Sequence, residues 1–244
     1  MLLVTDLHTY YGDSHVLQGV SLEVGPGAVV AVLGRNGVGK TTLCRSLAGF
    51  TPARSGRVVF NQIDITAWRP HQICRQHLRI VPQGRRIFPS LTVEEHLRIA
   101  GDSRSGAGRW DFAKVFEEFP RLRERRQHRG GELSGGEQQM LAIARALVAN
   151  PALVIMDEPT EGLAPAMVAE VGALIGRLKR EGTSVLLVEQ NAAFAVQHAD
   201  YAYVMSRGRI VHASEPAALW ADDAVKAQWL GVPPPAILSG GIGL

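Results

Sequence analysis

Apolar and polar residues fall into short blocks along this chain, and their spacing switches between the two-residue period of a strand and the 3.6-residue period of a helix. In the later part of His15 to Val24 the residues alternate. Val20, Leu22 and Val24 lie on one side and Ser21 and Glu23 on the other, which predicts a half-buried antiparallel strand. Gly25-Pro26-Gly27 predicts a turn, and Val29-Val30-Ala31-Val32-Leu33 a strand buried on both faces. Leu43, Leu47 and Ala48 mark the apolar side of a short helix that Gly49 stops. Ser55-Gly56 reads as a further turn, leading into a strand at Val58-Val59-Phe60.

The middle of the chain, from about Gly84 to Val148, is more helical and richer in arginine. Thr92-Val93-Glu94-Glu95 forms a capping box, with Leu97 and Ala100 following at helical spacing. Gly101 to Gly108 predicts an exposed polar loop. Trp110 to Phe119 predicts a helix with Val115 and Phe119 on one side, ended by Pro120. Beyond it, strands and helices alternate again. Ala152 to Met156 reads as a buried strand. Ala166 to Lys179 reads as a helix, with Val168, Val171, Leu174, Ile175 and Leu178 inward and Gly182 as its stop. Ser184 to Val188 predicts another buried strand, and Tyr201 to Val211 a hairpin turning near Arg207-Gly208. From Gly231 the chain is rich in proline and glycine, which predicts a flexible end. No internal repeat is visible.

Composition narrows the class. The 244 residues are 46% hydrophobic and 20% charged, as in a globular protein with a sizeable core. No apolar stretch approaches the roughly 20 residues that span a bilayer. The opening Met1-Leu2-Leu3-Val4-Thr5-Asp6 lacks the features of a signal peptide. Cys44 and Cys74 have no metal-ligand spacing and fit a reduced cytosolic setting. The net charge of +3 is too small to argue for nucleic acid. Arg121, Arg123, Arg125, Arg126 and Arg129 form either a solvated helical face or a contact for an acidic partner or lipid headgroups.

Three runs carry chemistry. Gly34-Arg35-Asn36-Gly37-Val38-Gly39-Lys40-Thr41 fits the phosphate loop G-x-x-x-x-G-K-[ST], placed between a buried strand and a helix as that chemistry requires. Glycines let backbone N–H groups turn inward around phosphate oxygens, and the helix end adds positive potential. Lys40 can then reach the β- and γ-phosphates, and the Thr41 hydroxyl can bind Mg²⁺. Leu153-Val154-Ile155-Met156-Asp157-Glu158 sets two carboxylates at the carboxyl edge of a parallel sheet, where ligands of open α/β folds bind. Asp157 is placed to hold Mg²⁺ through water and Glu158 to polarise an attacking water. Leu133-Ser134-Gly135-Gly136-Glu137-Gln138 is a second helix start. Ser134 and Glu137 form its capping box, and Met140, Ala144, Leu147 and Val148 its apolar side.

The last run resembles the signature motif of ATP-binding cassette (ABC) ATPases, and the resemblance extends from Leu2 to about Trp220. It implies a P-loop NTPase of α/β class, with a mainly parallel core sheet, an N-terminal antiparallel β subdomain and an inserted helical subdomain. The expected divisions are 1–84, 85–148, 149–230 and a tail at 231–244. The resemblance implies that Tyr11 stacks on adenine, with Val16 either backing the same ring or filling the strand core. It makes Gly34, Arg35, Asn36, Gly37, Val38, Gly39, Lys40, Thr41 and Thr42 the ATP loop. It makes Gln83 a Mg²⁺ contact beside Thr41 and Asp157, and Glu158 the general base. Ser134, Gly135, Gly136 and Glu137 would cap a nucleotide on another subunit. Two positions depart from the family pattern. Gln190 stands where a histidine usually contacts the γ-phosphate, and keeps a donor amide without the acid–base capacity. Ala164 stands where an aspartate is usual.

The wording of Val81-Pro82-Gln83-Gly84-Arg85 and of Asp157 to Pro165 resembles the smaller ATPase subunit of branched-chain amino acid importers. That implies ATP and Mg²⁺ as cofactors and a second, non-identical ATPase subunit. It further implies transmembrane permeases, an external solute-binding protein and a place on the cytoplasmic face of the plasma membrane. A urea or amide importer is the alternative. A non-transport cassette acting on DNA or ribosomes is less well matched, because no long heptad run and no second cassette are present.

Overall fold

The computed structural model describes residues 1–101 and 110–232. The chain opens with β1 (Leu2–Tyr11), β2 (Ser14–Val24) and β3 (Val29–Leu33), then α1 (Lys40–Leu47), β4 (Ser55–Phe60) and β5 (Ile63–Asp64). It continues through α2 (Pro70–Cys74), β6 (Leu78–Val81), α3 (Val93–Ala100), α4 (Phe112–Glu118), α5 (Pro120–Glu124) and α6 (Gly135–Leu147). Then follow β7 (Leu153–Asp157), α7 (Pro165–Arg180), β8 (Ser184–Glu189), α8 (Ala192–His198), β9 (Tyr201–Ser206) and β10 (Arg209–Ser214). α9 (Pro216–Ala221) and α10 (Asp223–Val225) run into a wider turn at Lys226–Leu230.

Six strands form one sheet in the order β10-β9-β3-β8-β7-β6, parallel except for β10. Every residue of β3, β7 and β8 is buried, because helices cover both faces of a parallel sheet. The two-residue period divides β3 between two cores. Val29, Ala31 and Leu33 join the cluster that includes α3 to α8, and Val30 and Val32 join α1 and the second sheet. That second sheet, β2-β1-β4-β5, is antiparallel throughout. Among the described residues no helix is long and apolar enough to cross a membrane.

Several predicted elements are corrected. Ser55-Gly56 is not a turn. Both residues lie in β4, where Gly56 (φ 97°) faces a bulge of β1 between Thr5 and His8. A side chain there would start 2.3 Å from the Asp6 carbonyl oxygen, so the position needs glycine. Pro120 ends α4 and also starts α5, at the first helical position where a missing N–H is harmless. The α6 helix is buried on most sides, Gln139 and Leu141 to Ile143 included, because it is wedged between α3, α5 and β6. β1, β6, α8 and α9 had no distinct signal in the pattern. The loop predicted for Gly101 to Gly108 lies outside the described residues after Gly101, as does the tail after Val232.

One buried histidine ties the segment after β6 to α3. His96 Nδ1 donates to the Thr92 carbonyl (2.7 Å), and Nε2 accepts from the Phe88 N–H (3.0 Å). Burial holds the imidazole below its ordinary pKa, so the folded protein keeps it neutral. A depressed pKa contributes stability that is present above about pH 6.5 and lost as pH falls through the folded value. Urea midpoints at pH 7.5 and 5.5 should therefore show an acid-sensitive component that His96→Gln removes. At pH 7.5 the substitution should lower stability by about 1–3 kcal/mol, for disturbing a buried hydrogen-bonded pair.

Candidate active site

The β3 strand delivers its backbone to the carboxyl edge of the sheet, and residues 34–39 wrap there before α1 begins. Gly37 (φ 80°) and Gly39 (φ 110°) take left-handed conformations that turn the loop. At Gly34 a side chain would start 2.5 Å from the Met205 carbonyl oxygen. The Lys40 ammonium is curled back into this loop. It donates to the Gly34 and Arg35 carbonyls (2.8 and 3.0 Å) and pairs with Glu158 Oε1 (2.9 Å). Both charged side chains are nearly sealed from solvent, at 3% and 6% exposure, so each depends on the other.

Strand β7 brings the two acids to the same edge. Register pairs Asp157 with Val188 and Leu33 with Glu189, so β7, β8 and β3 end side by side. The Thr41 hydroxyl lies 3.3 Å from Gln83 Oε1 and 3.4 Å from Asp157 Oδ1. Gln83 Nε2 donates to Glu158 (2.9 Å) and to Glu161 (3.0 Å). Burial raises the Asp157 carboxyl to about 6, with the Glu158 charge adding to the rise and the Thr41 hydroxyl, the Cys44 thiol and Lys40 opposing it. A cation at that edge would draw it back down. Among the described residues no cluster of three His, Cys, Asp or Glu side chains could hold a metal. The donors gathered here are a hydroxyl, an amide oxygen and one carboxylate, an all-oxygen set suited to a hard cation.

A cleft of about 230 Å³ opens above these groups, lined by Val16, Asn36, Gly37, Gly39, Lys40, Thr41, Thr42, Gln83 and Glu158. Val16 thus faces the cleft. Val38 packs on the apolar cluster behind it, and Arg35 lies against Gly231. Tyr11 ends β1, half exposed, with its hydroxyl 3.4 Å from Thr51 Oγ1 and outside the cleft lining. Gln190 follows β8 directly, is exposed, and does not line the cleft either. Ser134 caps α6 through the predicted box: it accepts from the Glu137 N–H (3.3 Å) and donates its own N–H to Glu137 Oε2 (2.8 Å). Ser134, Gly135, Gly136 and Glu137 are absent from the lining of the Lys40 cleft. Within one chain the Lys40 cleft and the capped end of α6 are therefore separate.

Pattern reading missed Glu189. This buried carboxylate, with its pKa raised by burial, accepts from the Thr160 N–H (3.1 Å) and hydroxyl (2.7 Å) and from the Gln190 and Asn191 N–H groups. It braces the loops after β7 and β8 against each other. In the sequence it is only an acid closing an apolar run.

A phosphate loop, a paired lysine and carboxylate, and a separate capped helix with two glycines define a class, and comparison with known proteins agrees. The family described as ABC transporter matches residues 17–161, and this chain belongs to it. It is 44% identical to the high-affinity branched-chain amino acid transport ATP-binding protein BraG of Pseudomonas aeruginosa, across 95% of this chain and 100% of that protein. It is 33% identical to the lipopolysaccharide export system ATP-binding protein LptB of Escherichia coli K12, across 94% of this chain and 97% of that one. A nucleotide-free ATP-binding cassette from an ABC transporter superposes with a TM-score of 0.82 at 28% identity, covering 96% of this chain and 99% of the other. The chain is an ATP-hydrolysing enzyme with the P-loop NTPase fold.

Proposed function

We infer that this chain is one ATPase subunit of an importer for branched-chain or other hydrophobic amino acids, working from the cytoplasmic face of the plasma membrane. The observation that carries the two-subunit part is the separation of the signature helix from the Lys40 cleft within one chain. In this reading, residues 85–148 form a lid unit whose Ser134 hydroxyl and Gly135 and Gly136 N–H groups cover a nucleotide held by a second, non-identical ATPase subunit. Closure of the pair supplies fixed donors and excludes water. ATP can drive closure only through its extra affinity for the closed state.

The Lys40 cleft supports the roles proposed for Lys40, Thr41, Gln83 and Glu158, and the family resemblance supports those of Tyr11 and Gln190. Lys40 neutralises β- and γ-phosphate oxygens, and the N–H groups of 34–42 cradle them. Thr41, Gln83 and Asp157 would hold Mg²⁺, which when bound supplies charge neutralisation. Glu158 orients water and takes its proton, and Gln190 contributes a donor amide beside it. Tyr11 and Val16 flank the base. Transmembrane permeases receive the motion through the Gln83 segment, and an external solute-binding protein delivers the cargo.

Two measurements test this. Ser134→Arg should stop hydrolysis by the assembled transporter while the isolated chain still binds ATP. Loss of binding by a demonstrated monomer would overturn the shared site. Chelating Mg²⁺ with EDTA should abolish turnover, and added Mg²⁺ should restore it. For the cargo, the relation to BraG favours amino acids, and leucine uptake should vanish when this chain is deleted and return with the wild-type chain. The relation to LptB carries the second reading, lipopolysaccharide export; normal leucine uptake in the deletion strain would favour it.

A further inference from the structure

We propose that Arg54 is a positioning residue for the nucleotide base: by gripping Tyr10 and the turn at Gly12, it holds the hairpin tip that presents Tyr11 to adenine. The proposal rests on the adenine reading of Tyr11 above and adds to it a residue outside the lining of the Lys40 cleft.

The tip needs support. β1 and β2 pair out to Tyr11 and Ser14 and turn through Gly12 and Asp13. Tyr11 to Ser14 are all exposed, and a two-stranded tip is marginally stable by itself. Just below it the register slips. Thr9 pairs with Leu17 and Tyr10 with His15, so Val16 is the extra residue of a bulge. A bulge re-aims a side chain, and Val16 lines the Lys40 cleft. On β1 the side chains alternate between faces. Thr9 and Tyr11 point to α1 and the loop after it. The Thr9 hydroxyl meets Ser46 Oγ (2.9 Å), and the Tyr11 hydroxyl lies 3.4 Å from Thr51 Oγ1. His8 and Tyr10 take the opposite face, outside both apolar cores.

A stack of polar and aromatic groups covers that outer face. The His15 ring lies parallel to the Tyr10 ring, with centroids 4.1 Å apart and planes 4° from parallel. The Arg54 guanidinium sits over the Tyr10 ring, 3.8 Å from its centroid, where the ring's electron-rich face attracts a cation. His15 Nε2 meets His8 Nδ1 (3.0 Å), and His8 Nε2 meets Asp6 Oδ1 (3.1 Å). Contacts therefore run unbroken from Asp6 to Arg54. Arg54 also binds the hairpin backbone. Its Nη2 donates to the Gly12 carbonyl in the turn (3.1 Å), and its N–H donates to the His8 carbonyl (2.8 Å). Thr51 and Arg54 belong to one short segment between α1 and β4, so that segment grips the tip from both sides. Thr51 takes the Tyr11 hydroxyl inside, and Arg54 takes Tyr10 and Gly12 outside. Without the outer grip the tip must be ordered as adenine binds, and that ordering subtracts from the affinity. The phosphate loop is built on β3 and α1, so the phosphate end of the ligand is not affected.

The test separates the base from the phosphates. Arg54→Ala should weaken ATP binding by the full chain about 3- to 10-fold, the scale of one cation–ring contact and one hydrogen bond. Its affinity for inorganic tripolyphosphate, which has no base, should stay at the wild-type value. In the assembled transporter the same variant should raise KM for ATP and leave kcat alone. Arg54→Lys, which keeps a cation but not the planar fork, should recover part of the loss. Tyr10→Leu, which removes the ring, should reproduce it. Thermal melts check that each variant folds. In a Tyr11→Ala background, Arg54→Ala should weaken ATP binding no further, because it acts through Tyr11. Unchanged ATP affinity in Arg54→Ala would overturn the assignment. So would an equal loss for tripolyphosphate, or a full further loss in the Tyr11→Ala background. Tyr11→Ala alone keeps the two readings apart. If it binds ATP like the wild type, the adenine reading falls; if it binds ATP weakly while Arg54→Ala binds it normally, only the role of Arg54 falls.

Discussion

Glu158→Gln should lower kcat by about 10²–10⁴-fold, the contribution of a positioned general base, while ATP still binds. The structure adds detail to that expectation. One carboxylate oxygen of Glu158 holds Lys40 and the other accepts from Gln83 Nε2. The new amide keeps an acceptor for Lys40 but turns a donor toward the Gln83 donor. The Gln83 amide must then flip, which removes its oxygen from beside the Thr41 hydroxyl. A modest weakening of Mg²⁺ affinity should therefore accompany the loss of turnover. The lysine no longer has to leave a full negative charge to meet phosphate, which favours nucleotide binding. Phosphate release and an equilibrium ATP titration at fixed Mg²⁺ measure both. Hydrolysis at the wild-type rate would remove Glu158 from the role.

Lys40→Ala should have two separable effects. ATP affinity should fall by at least about 10²-fold, because the buried ammonium proposed to meet two phosphates is gone and a charge-assisted contact in a water-poor site is worth about 3 kcal/mol. The nucleotide-free protein should also lose stability, on the order of 3–5 kcal/mol for leaving one member of a buried ion pair alone. Combining Lys40→Ala with Glu158→Gln removes both charges. The double variant should regain much of the stability and none of the ATP affinity, a non-additivity that urea denaturation and titration together reveal. Unchanged ATP affinity in Lys40→Ala would contradict the loop assignment.

Much of the core was legible because its signals are local. The runs at 29–33, 153–156 and 184–188 predict strands buried on both faces, and each is wholly buried between helices. The boxes at Thr92/Glu95 and Ser134/Glu137 involve residues three apart, and both form. Elsewhere distant contacts overrode the pattern. Position 56 needs glycine because the Asp6 backbone of another strand, at a bulge of that strand, presses against it. The α6 helix shows no simple stripe because three elements enclose it. β1 was obscured by the break in its alternation at Asp6, a left-handed residue within the strand.

For the candidate site, spacing along the chain was enough to single out Lys40, Thr41, Asp157, Glu158 and Ser134, since a phosphate loop and a helix cap are built from neighbours in sequence. Their relations were decided only by the tertiary structure. The sheet order brings Glu158 onto Lys40, Gln83 between Thr41 and Glu158, and Glu189 beneath Thr160. It also keeps the capped end of α6 away from the cleft. Short-range chemistry is written in consecutive residues. Which charges end up buried against each other depends on strand order and register, and those are set by the packing of the whole chain.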